Sequence, residues 1–362
     1  MLKGLTQSTT PPIKVPLIAQ ALHQSEITRS KSFLNRGTYV RHDDMGEVKN
    51  IGSFTRVFIV WSSLVTNIEY VPGLLTLDYS LKKVKSKYPL VALYTDQLPL
   101  EARTAIAARG IPMQRIDFLA PKSGLEHSVE ERFYFCWSKL MVFGLIEYER
   151  LVLLDSDMLV LQNMDELIEM ELDPPKLAGT GHRVFAAGYA CICNPLEKPH
   201  YPKDWSREHC PFSAQHTTPL VAQTTAPSTN EKLPNILNSG LLLINPCVSI
   251  FNHIIDFLRS DIKLKVNFAE QSLLSELFHG RWVPLPYTYN ALKTLRWKGV
   301  HSEIWRDDCV KNIHYILTPK PWEEIDAEGR NFSNEPTHQW WVNLNVERWE
   351  MEKRRGIPRD FF

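Results

Sequence analysis

The chain has 362 residues, 44% of them hydrophobic and 23% charged, with Lys+Arg and Asp+Glu both numbering 41. Balanced charge removes the overall basic field that would hold nucleic acid or an anionic membrane. No apolar run approaches the roughly 20 residues needed to span a bilayer, and the length suits one large domain or two small ones.

Residues 1–50 are polar, lack sustained periodicity and read as a mobile or loosely packed leader. Thr9, Thr10, Pro11, Pro12 and Lys14 interrupt the apolar core that a signal peptide requires. With six cysteines taken as reduced thiols, this favours the cytoplasm. A domain over 51–330 follows. Val57–Trp61 reads as a first strand, and Leu74, Leu77, Leu81 and Val84 make an amphipathic helix within 70–87. Leu90–Tyr94 is a second strand and 99–109 a helix ended by Gly110. Met113–Phe118 is a third strand, and a helix over 130–148 leads into Leu151-Val152-Leu153-Leu154. Alternating strands and helices imply an α/β fold with a mostly parallel central sheet flanked by helices.

Between 194 and 235 lie seven prolines among many Thr, Ser and His residues, a pattern expected of a functional loop or flexible insertion. Leu241–Asn245 resumes buried strand character and 248–260 is helical. Residues 331–362 form a helical extension whose Trp340 and Trp341 pack on the domain. Cys191 and Cys193, with His209 and Cys210, can be drawn as a zinc site. The C-x-C spacing and the adjacent second pair strain a tetrahedron, so ordinary thiols are expected.

Chemistry concentrates at Asp155-Ser156-Asp157, directly after the buried Leu151–Leu154 strand. Ligands of open α/β sheets bind at strand ends. Two hard oxygen donors there suit Mg²⁺ or Mn²⁺, ions that keep open positions for substrate phosphates. A solvated turn is the alternative for a bare D-x-D. Neither a G-x-G-x-x-G after the first strand, nor a G-x-x-x-x-G-K-[ST], nor a G-x-S-x-G is present.

Five pieces occur in order: Ser138-Lys139-Leu140, Asp155/Asp157, Asn238-Ser239-Gly240, Glu270-Gln271, and His314 followed by Lys320-Pro321-Trp322. Together they resemble the family 8 glycosyltransferases, retaining enzymes of the GT-A fold that include glycogenin and the galactinol synthases, over roughly residues 55–325. The nearer likeness is to the galactinol synthases, in Leu81–Val91, Tyr134–Leu140 and Glu147–Arg150. Those enzymes carry a Cys-rich segment after the metal strand. Here that region holds Cys191 and Cys193 and then the longer Pro/Thr-rich stretch. The loop Tyr315-Ile-Leu-Thr-Pro-Lys320 lacks the glycine these families carry before the lysine. No tyrosine occurs between Tyr289 and Tyr315, which argues against glycogenin-like self-priming.

The resemblance implies a metal-dependent retaining glycosyltransferase moving a hexose from a UDP-sugar to a polyol or glycan acceptor, with Mn²⁺ (or Mg²⁺) as cofactor. Asp157 would ligate the metal, with Asp155 joining it or touching the ribose, and His314 would be the third ligand. Lys320 would neutralise the departing diphosphate. Lys139, Asn238, Ser239 and Gly240 would contact the donor, and Glu270 and Gln271 would act near the sugar. A nucleotidyltransferase or UDP-sugar hydrolase with the same metal strand, or a silent scaffold, are the rival readings.

Overall fold

The computed structural model describes residues 58–121, 133–199, 201–228, 234–260 and 268–360. The expected leader over 1–50 lies outside them. In chain order the elements are β1 (Phe58–Val65), α1 (Val71–Lys83), β2 (Leu90–Tyr94), α2 (Leu100–Ala108), β3 (Met113–Arg115), α3 (Phe133–Cys136), β4 (Tyr148–Leu154) and β5 (Met158–Val160). They continue with β6 (Phe185–Tyr189), β7 (Leu237–Ile244), α4 (Val248–Arg259), α5 (Ala269–Leu277), β8 (Val283–Leu285), β9 (Ala291–Leu292), β10 (Asn312–His314) and α6 (His338–Arg354).

Seven strands form one sheet in the order β3-β2-β1-β4-β7-β6-β8. β7 runs antiparallel to both neighbours, and the other pairings are parallel. Leu151 to Leu154 of the central β4 are fully buried, as a strand covered on both faces must be. On one face Leu74, Leu77, Ala102 and Ile106 of α1 and α2 join its core. On the other, Ile254 and Leu258 of α4 and Leu273 of α5 join Phe143, Phe185 and Phe278.

A second sheet, β5-β10-β9, positions the site. Its antiparallel register sets His314 of β10 opposite Met158 of β5, and the Tyr315 N–H donates to the Asp157 carbonyl at 2.9 Å. Backbone pairing therefore brings His314 beside Asp157 across a long sequence separation.

Two expectations need correction. The helix expected over 130–148 is shorter: α3 continues as a 3₁₀ segment, Trp137–Gly144, and Tyr148 already belongs to β4. Gly144 packs against the Phe251 ring, where any added Cβ would lie 3.0 Å from it, and the chain turns there. The described part of 194–235 is not structureless either. Short 3₁₀ turns over Pro211–Thr217 and Val221–Gln223 bury Cys210, Phe212 and Ala222. Few buried residues on short 3₁₀ segments leave no 3.6-residue periodicity to read, and Pro211 fits the first turn because it needs no amide donor there.

Candidate active site

Asp155, Ser156 and Asp157 form the turn between β4 and β5, at the end of β4 where the parallel sheet gives way to its reversed strand. Ser156 is held by Ser63 Oγ at 3.0 Å and donates to the Leu64 carbonyl, fixing the turn against the end of β1. The Asp155 N–H donates to the Gly240 carbonyl at 2.8 Å, tying the turn to β7. A cleft of about 450 Å³ opens here.

The structure brings all the sequence-derived site residues to this cleft: Lys139, Asp155, Asp157, Asn238, Ser239, Gly240, Glu270, Gln271, His314 and Lys320 all line it. His314 Nε2 lies 3.2 Å from Asp157 Oδ1 and 3.7 Å from Asp155 Oδ2. Lys320, almost fully buried, places Nζ 2.6 Å from Asp157 Oδ2 and donates to the Tyr315 carbonyl at 2.8 Å. Lys139 Nζ bridges Asp155 Oδ1 at 2.7 Å and Glu270 Oε1 at 3.3 Å. Ser239 Oγ donates to Glu270 Oε1 at 2.8 Å, while Glu270 Oε2 is buried with no hydrogen-bond partner among the described residues. Gln271 Oε1 accepts from the Ser239 N–H at 3.3 Å and from Asn238 Nδ2 at 3.4 Å.

Burial works against each of these charges, and their mutual pairing decides the outcome. The Asp157 carboxyl is pushed up by burial but pulled further down, foremost by the Lys320 ammonium 2.6 Å away, so it stays well below the usual carboxylate range. Burial also opposes the Lys139 ammonium, yet Asp155 and Glu270 outweigh it and hold its pKa well above the ordinary lysine value. At Glu270 burial wins over Lys139 and Ser239, and its pKa is raised.

Asn290, which the sequence reading left out of the site, sets the histidine. The Gly240 N–H (3.1 Å) and Asn290 Nδ2 (2.8 Å) both donate to Asn238 Oδ1. That leaves Asn290 Oδ1, 2.9 Å from His314 Nδ1, as an acceptor, so Nδ1 carries the proton. In the neutral ring the Nε2 lone pair then faces two carboxylates. Ligand atoms of Asp155, Asp157 and His314 all lie within 4.8 Å of one another. Three converging acceptors repel unless a cation lies among them, and two carboxylates plus a neutral imidazole suit Mn²⁺ or Mg²⁺. The donor set thus fits a divalent ion. Gly240 is required by close approach, since a Cβ there would sit 2.4 Å from His314 Cε1.

The sequence reading also left out the wall supplied by the end of β1. Leu64, Thr66, Asn67, Glu69 and Tyr70 line the cleft, and Lys320 Nζ lies 5.7 Å from the Tyr70 ring centroid. Their position at the carboxyl end of the first parallel strand was the available signal. On the opposite side Tyr201, Trp205 and Phe268 form an aromatic cluster, with Trp205 and Phe268 stacked at 5.0 Å.

A largely parallel sheet with one reversed central strand and an acidic turn at its switch point is the GT-A fold of nucleotide-sugar glycosyltransferases. The galactosyltransferase LgtC, solved with donor and acceptor sugar analogs, superposes with a TM-score of 0.50 at 16% identity over 80% of this chain and 96% of its own. The bifunctional glycosyltransferase WbbM gives 0.52 at 15% identity, covering 93% and 59%. The chain belongs to glycosyl transferase family 8, whose profile matches residues 62–326, and it is a glycosyltransferase. Galactinol synthase 1 of Ajuga reptans is 27% identical over 300 residues, covering 81% of this chain and 83% of the relative. Galactinol synthase 1 of Solanum lycopersicum is 28% identical over 288 residues, 78% and 80% of the two chains. Family membership implies a nucleotide-sugar donor and a sugar acceptor. Among the described residues no helix is long and apolar enough to cross a membrane.

Proposed function

We propose that this chain is a metal-dependent retaining glycosyltransferase that moves a hexose from a UDP-sugar to a polyol, with myo-inositol as the first acceptor to test and galactose as the first sugar. The observation that carries the donor half is the convergence of Asp155, Asp157 and the Nε2 lone pair of His314 between two lysines. With Glu270 ionised, the carboxylates of Glu69, Asp155, Asp157 and Glu270 outnumber the ammonium groups of Lys139 and Lys320, so the cleft lining is net negative. A divalent ion would offset that excess and supply charge to neutralise a departing diphosphate. Mn²⁺, with Mg²⁺ as the alternative, is the ion proposed. The relatives named galactinol synthase support the acceptor half, since they align with about four-fifths of this chain.

The chain's own groups divide the work. Asp157 and His314 hold the ion, and Asp155 either joins them or meets the ribose. Lys320, held by Asp157 and the Tyr315 carbonyl, would meet the donor diphosphate, and Asp157 would then be left to the ion. Lys139 holds Asp155 and Glu270 in register and reaches the donor. Asn238, Ser239 and Gln271 present neutral amides and a hydroxyl to sugar hydroxyls, and Gly240 lets the strand approach.

Glu270, with Oε2 buried and unpaired, faces the sugar. It acts either as a nucleophile on the opposite ring face or as an orienting group during front-side attack by the acceptor. The aromatic cluster of Tyr201, Trp205 and Phe268 forms the apolar wall of the acceptor side. Cys191, Cys193, Cys210, Cys247 and Cys309, all present as thiols, support a cytoplasmic setting.

UDP release from a panel of UDP-sugars, with Mn²⁺ or EDTA and with or without myo-inositol, tests this reading. Metal-dependent release from UDP-galactose, stimulated by inositol, is expected. Release from another donor, or stimulation only by glycans, would replace the sugar or the acceptor; no release from any donor would sink the reading.

A further inference from the structure

Outside the donor cleft, the chain gathers a second set of metal-binding side chains. Cys191 and Cys193 follow β6, Cys210 precedes the 3₁₀ turn Pro211–Thr217, and His301 lies in the loop after β9. Their ligand atoms all lie within 4.8 Å of one another. His301 Nε2 is 3.1 Å from Cys193 Sγ and 3.1 Å from Cys210 Sγ. All three cysteines are free thiols. His301 and Cys210 are buried, while Cys191 and Cys193 are half-buried.

We propose that Cys191, Cys193, Cys210 and His301 bind a structural Zn²⁺. Hydrogen bonding alone accounts poorly for the arrangement. One ring nitrogen faces two sulfurs at equal distance, and thiols are weak donors and weak acceptors. Three sulfurs and an imidazole nitrogen are instead the donor set of a closed zinc site. Zn–S near 2.3 Å and Zn–N near 2.0–2.1 Å in a tetrahedron put the ligand atoms about 3.5–3.8 Å apart, so the two His301–sulfur separations of 3.1 Å would open by a few tenths of an ångström, and the remaining separations already lie within 4.8 Å.

The surroundings are also those of a ligand. His301 Nδ1 meets His216 Nε2 at 2.8 Å, and His216 lies 3.9 Å from Glu303 Oε2. That pairing occupies the far ring nitrogen and directs Nε2 at the sulfurs, as the outer partners of metal-bound histidines do. Arg207, three residues before Cys210, donates to the Val300 carbonyl at 2.8 Å and pairs with Glu303, which fixes the two loops across the site.

His209, the histidine suggested by sequence proximity, points elsewhere: its Nδ1 lies 3.1 Å from Ser206 Oγ and 3.2 Å from the Asp204 carbonyl. The fourth ligand comes from 91 positions beyond Cys210, where no spacing rule would have found it. The consequence is architectural. Cys191 lines the donor cleft together with Tyr201 and Trp205, so the metal would staple the Pro/Thr-rich segment into the cleft wall. This inference stands independently of the sugar and acceptor proposed above.

The test is the metal content of the purified full chain after dialysis against EDTA, for wild type, Cys210→Ser, His301→Ala and Asp157→Ala, with the cobalt-substituted wild type examined by absorption. About one tightly held zinc per chain is expected in wild type and in Asp157→Ala, and near none in the other two. The cobalt form should show thiolate-to-metal charge transfer and tetrahedral d–d bands. Wild type without zinc overturns the proposal, as does zinc that survives Cys210→Ser or is lost in Asp157→Ala. A disulfide among these cysteines by mass, or a cobalt spectrum without thiolate bands, overturns it even if the cysteine variants fail to fold.

Discussion

In the proposed metal site Asn290 would orient a ligand without being one. Its Oδ1 selects the His314 tautomer that leaves Nε2 bare, and its own orientation is fixed through Asn238 by a backbone N–H. Asn290→Ala should weaken Mn²⁺ binding about 10–100-fold, the usual effect of losing such an outer partner. Asn290→Asp, which keeps an acceptor for the Nδ1 proton, should recover much of that loss. Mn²⁺ titration of the three proteins decides; equal affinities would remove Asn290 from the account. At this scale the sequence was legible where chemistry was local. The Asp155/Asp157 pair stands directly after an apolar strand, and Lys320 follows His314 closely. Asn290 was illegible because an asparagine gains this role only through partners 24 and 52 positions away.

The loop carrying Lys320 shows what an element can do with an unexpected residue. Leu317, three residues before Lys320, has a left-handed backbone, φ +65°. Glycine would adopt that conformation without strain, whereas Leu317 is mostly buried beside the cleft. A left-handed conformation costs a non-glycine residue roughly 1–2 kcal/mol. Leu317→Gly and Leu317→Ala both forfeit the buried side chain, but only alanine retains the strain. The glycine variant should therefore be the more stable of the two by about 1 kcal/mol, the reverse of the order in a helix. Denaturant melts of the pair check this, and an alanine variant that is the more stable would show the loop to be unstrained.

Several elements were readable from period and length, as β2 and α2 illustrate, whereas β6 and the two- and three-residue strands β5, β8, β9 and β10 were not. The 3₁₀ segments Trp137–Gly144 and Pro211–Thr217 were not, because a tight short turn has no 3.6-residue stripe to expose.

At the scale of the whole molecule, α6 packs against the loop that carries Lys320. Trp341 packs on Trp322 at 5.5 Å, and the fully buried His338 sits 2.7 Å from Glu324 and 3.1 Å from Lys293 Nζ, which itself holds the Pro319 carbonyl. Burial and the Lys293 ammonium push His338 down to about 4. The unfolded chain takes up this proton near pH 6.5, whereas the folded one refuses it until about pH 4. Stability from this group is therefore complete above pH 6.5 and falls as pH drops through that window. His338→Gln should flatten the acid side of the stability–pH curve, read as urea midpoints at several pH values; an unchanged slope would exclude His338 as its source.

The same helix carries a buried ion network, Arg348 and Arg109 against Glu352 and Asp360. Removing one member of such a network typically costs about 3–5 kcal/mol, because the others remain buried without a partner. Arg348→Ala should thus lower the thermal midpoint sharply, whereas breaking the exposed, solvent-screened pair Arg330–Asp326 should leave it nearly unchanged. Arg348 could not be recognised as core from a sequence in which it reads as one more charged residue on a terminal helix.

The most direct measurement is UDP binding by calorimetry with Mn²⁺ and with EDTA, for wild type and Asp157→Ala. The account expects wild type to bind UDP with Mn²⁺ at least tenfold more tightly than with EDTA, and Asp157→Ala to lose that difference while remaining folded. Equal affinity with and without metal, or metal-enhanced binding that survives in Asp157→Ala, would contradict the assignment of this cleft as a metal–nucleotide site.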